Sequence, residues 1–284
     1  MTGNPAHRRI IFLDVDGTFA DHGDVPPGHV AAVRAARSAG HRVLLCTGRP
    51  KSMLPERILA AGFDGIVASA GGYVEVDGTL LADRRFPPEI AARAVEVLHR
   101  HDAAYVLEAP DALYGPPDVR ERLRAAWTAR MQADPEESRH EGPLDILDGL
   151  IADADLSTVS FAKITCFDCA VPVTQLAREM GPEIAALPSS IPGLGERAGE
   201  IYVAAVDKSI GIRDVIAHLG VPREDTIAVG DGLNDLEMLE FAGIGVAIED
   251  GDPAVIAVAD RTAPPPSAED LVTAFRDLGL IDGL

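Results

Sequence analysis

Short, unbroken apolar runs that stop on a polar or small residue recur at both ends of this 284-residue chain. Arg9 to Asp14, His41 to Cys46 and Gly65 to Ser69 are the first three. Between them lie helical patterns: an alanine-rich stretch led by Pro26-Pro27 and stopped near Gly40, and a second helix expected from Pro50 to Gly62. A strand that is apolar on both faces belongs to a parallel sheet covered by helices on each side. The same grammar returns late in the chain. Glu200 to Val206 and Thr226 to Val229 read as strands, Lys208 to Leu219 as a helix closed by Gly220, Asn234 to Ala242 as a helix and Ile244 to Ile248 as a strand. Two last helices are expected over 252–259 and 267–278. This alternation predicts an α/β chain with a doubly wound, Rossmann-like parallel sheet. Tyr73 to Val76 and Thr79 to Leu81, joined by Asp77-Gly78, predict a hairpin.

The middle of the chain has a different character. Helix patterns at 88–101, 117–133 and 173–180 alternate with strand patterns at 104–108 and 158–167, a polar segment at 134–143 and a Ser/Pro/Gly-rich loop at 188–195. The expected organisation is a catalytic core over 1–82 and 198–284, with an inserted α+β cap domain over 83–197. Apolar residues make up 47% of the chain, enough for two cores. The formal net charge of -20 repels nucleic acid and anionic membranes, so neither is an expected partner. No run approaches the roughly 18 apolar residues of a membrane span, and no secretory leader is visible, so a cytoplasmic location is expected. Cys46, Cys166 and Cys169 are too few for a disulfide framework. Cys166 and Cys169 have the spacing of half a zinc site, but no second pair follows, so they read as packing residues.

Four short segments stand at the ends of predicted core strands: Asp14-Val15-Asp16-Gly17-Thr18, Thr47-Gly48-Arg49, Asp207-Lys208-Ser209 and Gly230-Asp231-Gly232-Leu233-Asn234-Asp235. Open α/β sheets bind ligands at that edge. A carboxylate such as Asp14 is a competent nucleophile toward phosphorus. Its repulsion from an anionic phosphate is offset by Mg2+, for which Asp14 and Asp231 are suitable oxygen ligands. Asp16 is placed to serve as general acid and then as general base. Thr47 brings a hydroxyl and Gly48 an open backbone N–H for phosphate oxygens, and Lys208 a point charge. Each segment alone has an ordinary reading as a turn, a cap or a solvated lysine. The conjunction in this order points to phosphoryl transfer. Arg49 could reach phosphate but is as readily an exposed helix-start residue. His99, His101 and His140 read as surface histidines, and Trp127 as core of the cap.

At these residues the chain resembles haloacid dehalogenase-superfamily phosphatases, of the Cof-type branch with a type IIB cap. The resemblance covers the whole layout, with the superfamily's four motifs matched in order by Asp14–Thr18, Thr47, Lys208 and Asp231–Asp235. It implies that Asp14 is nucleophile and metal ligand, that Asp16 is the acid/base and offers its backbone carbonyl to the metal, and that Asp231 completes the metal shell. Thr47, Lys208 and Asn234 would hold phosphate, and Asp235 would orient Lys208 or a metal-bound water. Two departures stand out. Phe19 replaces the usual Leu, and Ala70-Gly71-Gly72 replaces an Asn-Gly-Ala-like segment, which removes a polar side chain. The function implied is a magnesium-dependent hydrolase of small phosphorylated metabolites, sugar phosphates foremost, acting as monomer or homodimer. The alternatives are a phosphomutase of the same layout and a non-catalytic regulator that binds a phosphometabolite. Asp16 disfavours the second, which has no use for an acid/base.

Overall fold

The computed structural model describes residues 8–21, 23–133, 149–189, 194–268 and 271–282, and the chain divides into two compact units. The first unit comprises Met1–Arg49, Leu54–Asp83 and Asp207–Leu284, and the second Pro50–Met53 and Arg84–Val206. The first unit opens with β1 (Ile10–Leu13), α1 (Pro27–Ser38), β2 (Arg42–Cys46), α2 (Glu56–Leu59), β3 (Gly65–Ala68), β4 (Tyr73–Val76) and β5 (Thr79–Asp83). The second unit holds α3 (Pro88–Arg100), β6 (Ala104–Glu108), β7 (Leu113–Tyr114), α4 (Val119–Ala133), β8 (Leu150–Ile151), β9 (Lys163–Asp168), α5 (Val173–Met180), β10 (Ile184–Pro188) and β11 (Gly199–Val203). The chain then returns to the first unit with α6 (Lys208–Leu219), β12 (Thr226–Gly230), α7 (Leu236–Phe241), β13 (Ile244–Ile248), α8 (Pro253–Val258), β14 (Arg261–Ala263) and α9 (Leu271–Asp277).

The first unit is built on an eight-stranded sheet in the order β14-β13-β12-β1-β2-β3-β4-β5. The strands are parallel from β14 through β3, and the β4–β5 hairpin adds antiparallel to that edge. Successive side chains of a strand point to opposite faces, and here both faces are buried. Ile11 and Leu13, with Val43, Leu45, Ile227 and Val229, pack with Val33 of α1 and Phe275 of α9. Ile10 and Phe12, with Leu44, Cys46 and Ala228, pack on the other face with Ile212 of α6 and Met238 of α7. Burying one such side chain contributes about 1.5–3 kcal/mol. From β1 the chain winds one way to β2 and β3, and later from β12 the other way to β13 and β14. The switch point therefore lies between β1 and β12, where a crevice opens at the carboxyl ends of the strands. The doubly wound parallel core is as the apolar runs predict.

The second unit has a six-stranded sheet in the order β10-β11-β9-β6-β7-β8. Tyr105 and Leu107, Ile164 and Cys166, and Ile201 face helices α3 and α5. On the opposite face Lys163 lies 2.6 Å from Glu200 and 3.3 Å from Glu108, a buried ionic link between β9, β11 and β6. Val106 shares that face and packs with Val119 and Leu123 of α4. All three cysteines are buried free thiols.

Several expected elements differ. The helix expected over 50–62 is a 3-10 turn at Lys51–Met53 followed by the four-residue α2. Pro55 disfavours helical backbone at Leu54 and so splits it. The strand near Glu200–Val206, assigned to the core from the sequence, is β11, and it pairs antiparallel with β9 and β10 of the second unit. The helix expected at 234–242 opens as a 3-10 turn, Leu233–Asp235. His140 and the 134–143 segment lie outside the described residues, as does the side chain of Trp127. His99 accepts or donates at Tyr105 Oη, 3.0 Å away, and His101 lies 2.9 Å from Glu179. No helix among the described residues is long and apolar enough to cross a membrane.

Candidate active site

All the sequence-predicted site residues fall in the first unit: Asp14, Asp16, Thr47, Gly48, Asp231, Asn234 and Asp235 follow the carboxyl ends of its strands, whereas Lys208, expected after a core strand, opens the helix that follows β11 of the second unit. Asp14 follows β1 directly and continues the alternation of Ile10 and Phe12, so it points to the face covered by α6. Lys208 is the first residue of that helix. The Asp207 side chain caps α6 by accepting from Ile210 N at 3.1 Å, which fixes where Lys208 enters. Lys208 is fully buried and donates to Asp14 Oδ1 at 2.6 Å and to Asp235 Oδ1. Gly71 allows this approach. Its φ is +97°, and a Cβ there would sit 2.1 Å from the Asp207 carbonyl oxygen. The small Ala70-Gly71-Gly72 segment thus lets the start of α6 come close.

The loop after β12 is organised around Asp235. Its Oδ2 accepts from Asp231 N and Gly232 N, each at 3.0 Å. With Oδ1 on Lys208, both oxygens are engaged. Asp235 therefore orients Lys208 and the loop. Asp231 accepts from Thr18 Oγ1 at 2.8 Å, which ties the first and last motifs together. Thr47 is buried just after β2, and its Oγ1 accepts from Arg49 N at 3.1 Å. Gly48 and Asn234 are half-buried, the latter in the 3-10 turn before α7. Asp16 behaves differently from Asp14. Its side chain is half exposed and forms a two-pronged ion pair with Arg49, Nε to Oδ2 at 2.7 Å and Nη2 to Oδ1 at 2.6 Å. Sequence reasoning left Arg49 aside, because a helix-start arginine has no local signature of its partner. A cleft of about 320 Å³ beside these groups is lined by Asp16, Gly17, Asp231 and also by Asp21 and Asp250.

The electrostatics favour a bound cation. Burial pushes Asp14 well above the usual carboxylate range, against the pull of Lys208. Burial and then Asp235 raise Asp231 to about 6. Burial alone would lower Lys208, but Asp14 and Asp235 outweigh it, so the ammonium stays charged. Asp14, Asp231 and Asp235 each offer an oxygen within 4.8 Å of the others. An all-oxygen, all-carboxylate set suits a hard divalent ion. Because both Asp235 oxygens are already engaged, Asp14 and Asp231 are the side chains fitted to hold it.

A buried carboxylate at the switch point, a lysine upon it, and a second carboxylate two residues on form an arrangement suited to phosphoryl transfer. The family model for haloacid dehalogenase-like hydrolases matches residues 11–272, and the chain belongs to that family. The protein YkrA of Bacillus subtilis (strain 168) is 25% identical over 278 residues, 96% of this chain and 98% of YkrA. Among solved structures, the HAD subclass IIB sugar phosphatase BT4131 is similar with a TM-score of 0.75 at 20% identity, over 96% of this chain and 100% of that one. BT1666 from Bacteroides thetaiotaomicron is similar with a TM-score of 0.76 at 21% identity, over 99% and 98% of the two chains. The likeness to these two structures is one of fold.

Proposed function

We propose that this hydrolase is a magnesium-dependent phosphatase of small phosphorylated metabolites, sugar phosphates foremost, working through an aspartyl-phosphate on Asp14. The observation that carries the reading is the buried Lys208 held between Asp14 and Asp235, with Asp231 beside them. Lys208 takes one Asp14 oxygen, which leaves the other to attack. As the bond from Asp14 to phosphorus forms, the ester P–O bond breaks, and protonated Asp16 gives its proton to the departing oxygen. Water then attacks the phosphorus, Asp16 takes its proton, and the acyl-phosphate bond breaks to restore the Asp14 carboxylate and release phosphate. Thr47, the Gly48 N–H and Asn234 are assigned to the phosphoryl oxygens, with Lys208 supplying charge. Magnesium, when bound by Asp14, Asp231 and the Asp16 carbonyl, supplies charge neutralisation for two anions that must meet. The inserted unit, expected over 83–197 and found here over Arg84–Val206, is assigned the role of a cap that selects the leaving group. The subclass IIB sugar phosphatase neighbour supports sugar phosphates as the first esters to try.

The test is a phosphate-release screen over phosphorylated metabolites with magnesium, comparing wild type with Asp14→Asn. Turnover should require the metal and fall by at least about 1,000-fold in the variant, since removing a nucleophile costs several orders of magnitude. Retention of more than about a tenth of the rate, or full activity after chelation, would remove Asp14 or the metal from the mechanism.

A further inference from the structure

We infer that Arg49 is the positioning residue for proton transfer, acting through Asp16 rather than on the phosphate. The inference rests on the reading of Asp16 as the acid/base. Two cations serve three carboxylates in this site, Lys208 on Asp14 and Asp235 and Arg49 on Asp16, and they do so differently. Lys208 is buried on Asp14, whereas Arg49 grips Asp16 through both oxygens at 2.6 and 2.7 Å. The contrast matters because Asp14 is walled in, with 5% exposure, while the Asp16 side chain is 52% exposed. Packing cannot fix the rotamer of a side chain so open. Among the described residues, Arg49 is the side chain that hydrogen-bonds its carboxylate.

Arg49 is itself fixed at both ends of its backbone. Its N–H donates to Thr47 Oγ1 at 3.1 Å, and its carbonyl accepts from Ser69 N at 2.8 Å. Its side chain is only 22% exposed. The backbone of Arg49 is thus anchored by the loop after β2 and by the end of β3, and its guanidinium reaches across to the loop after β1. A planar fork meets a carboxylate in one orientation, which a lysine's single point of charge does not enforce. Arg49 therefore sets the plane and direction of the Asp16 carboxylate, the property that proton transfer to a leaving oxygen and from water depends upon.

The test is a double-mutant cycle on the full-length protein with saturating magnesium, using Arg49→Met, Asp16→Asn and the pair. The probes are 4-nitrophenyl phosphate, whose leaving group needs little protonation, and glucose 6-phosphate. Arg49→Met should lower kcat on glucose 6-phosphate by about 10- to 100-fold, the scale of a misplaced catalytic group. The effect on formation of the aspartyl-phosphate from 4-nitrophenyl phosphate, read by rapid quench, should be clearly smaller. KM and inhibition by inorganic phosphate should hardly move. In the Asp16→Asn background, Arg49→Met should change kcat by less than about twofold, because residues acting as a unit are not additive. Arg49→Lys should recover part of the loss. Near-ultraviolet circular dichroism checks each variant, and Arg49→Lys carries the cycle if the methionine variant does not fold. Losses that multiply in the double variant would overturn the inference. So would a raised KM and a weaker inhibition by phosphate at unchanged kcat, which would place Arg49 on the phosphate. A wild-type protein that releases phosphate from no ester removes the hydrolytic reading and this role together, whereas an active wild type with independent losses removes this role alone.

Discussion

Gly17 shows how closely the residues of the candidate site are fitted. Its φ is +78°, and a Cβ built there would lie 2.4 Å from Asp231 Oδ2 and 2.8 Å from Oδ1. An alanine must bear a left-handed backbone, at roughly 1–2 kcal/mol, and must also push away the carboxylate that Thr18 holds. Gly17→Ala should therefore fold with a lowered unfolding temperature. It should also lose the stabilisation that magnesium gives in thermal unfolding, together with about 100-fold or more of phosphate release. A variant with wild-type response to magnesium would show that Asp231 is not a ligand. At this scale much was legible beforehand. Asp14, Thr47, Lys208 and Asp231 stand where an apolar run stops or a helix begins, and such positions can be read locally. The grip of Arg49 on Asp16 could not be, because it depends on the rotamers of two side chains in loops more than thirty residues apart.

His41 illustrates the scale of elements, since it sits where α1 gives way to β2. It is 6% exposed, and its Nδ1 accepts from Arg9 N at 3.1 Å, which only the neutral ring with its proton on Nε2 can do. Burial lowers its pKa, with the Leu280 carbonyl opposing and Arg9 assisting. The sign follows from linkage. The unfolded chain binds a proton more readily, so stability is fully present above the ordinary histidine value near 6.5 and is lost as pH falls below it. The urea midpoint of the wild type should drop between pH 7.5 and pH 5.5 by more than that of His41→Gln. An equal drop in both would clear His41 of that role. The elements that escaped the sequence share a cause. β10 ends in Pro188 at a sheet edge and β14 has three residues, so neither carries a clear period. The strand at 199–203 was visible, but its partners were not. Whether a short strand joins a parallel or an antiparallel sheet is decided by residues elsewhere, here the register of Gly199 with Cys166.

For the molecule as a whole, the separation of chemistry from the inserted unit can be tested by excision. The structure moves the useful joint from the vicinity of residue 200 to Asp83 and Asp207, because β11 belongs to the second unit. Helix α6 packs on β4 and β5, so those two ends belong to neighbouring elements of one unit. A core joined there by a short flexible linker should keep magnesium-dependent hydrolysis of 4-nitrophenyl phosphate at a reduced rate and lose preference among sugar phosphates, since remote contacts raise transition-state binding. A soluble, metal-binding core without activity on any ester would mean that the second unit supplies a catalytic group. The pairing of β1 with β12 reaches further than catalysis. Ile10 must wait for Thr226, about two hundred residues later. At 5–20 residues per second, a ribosome takes on the order of 10–40 s to make that stretch. Meanwhile β1 to β3 exist with an open apolar edge, while residues 84–206 emerge as one continuous piece able to close on itself. During synthesis the newborn chain should thus depend on chaperones for longest at its oldest strand, and the catalytic centre should be the last part to come into being.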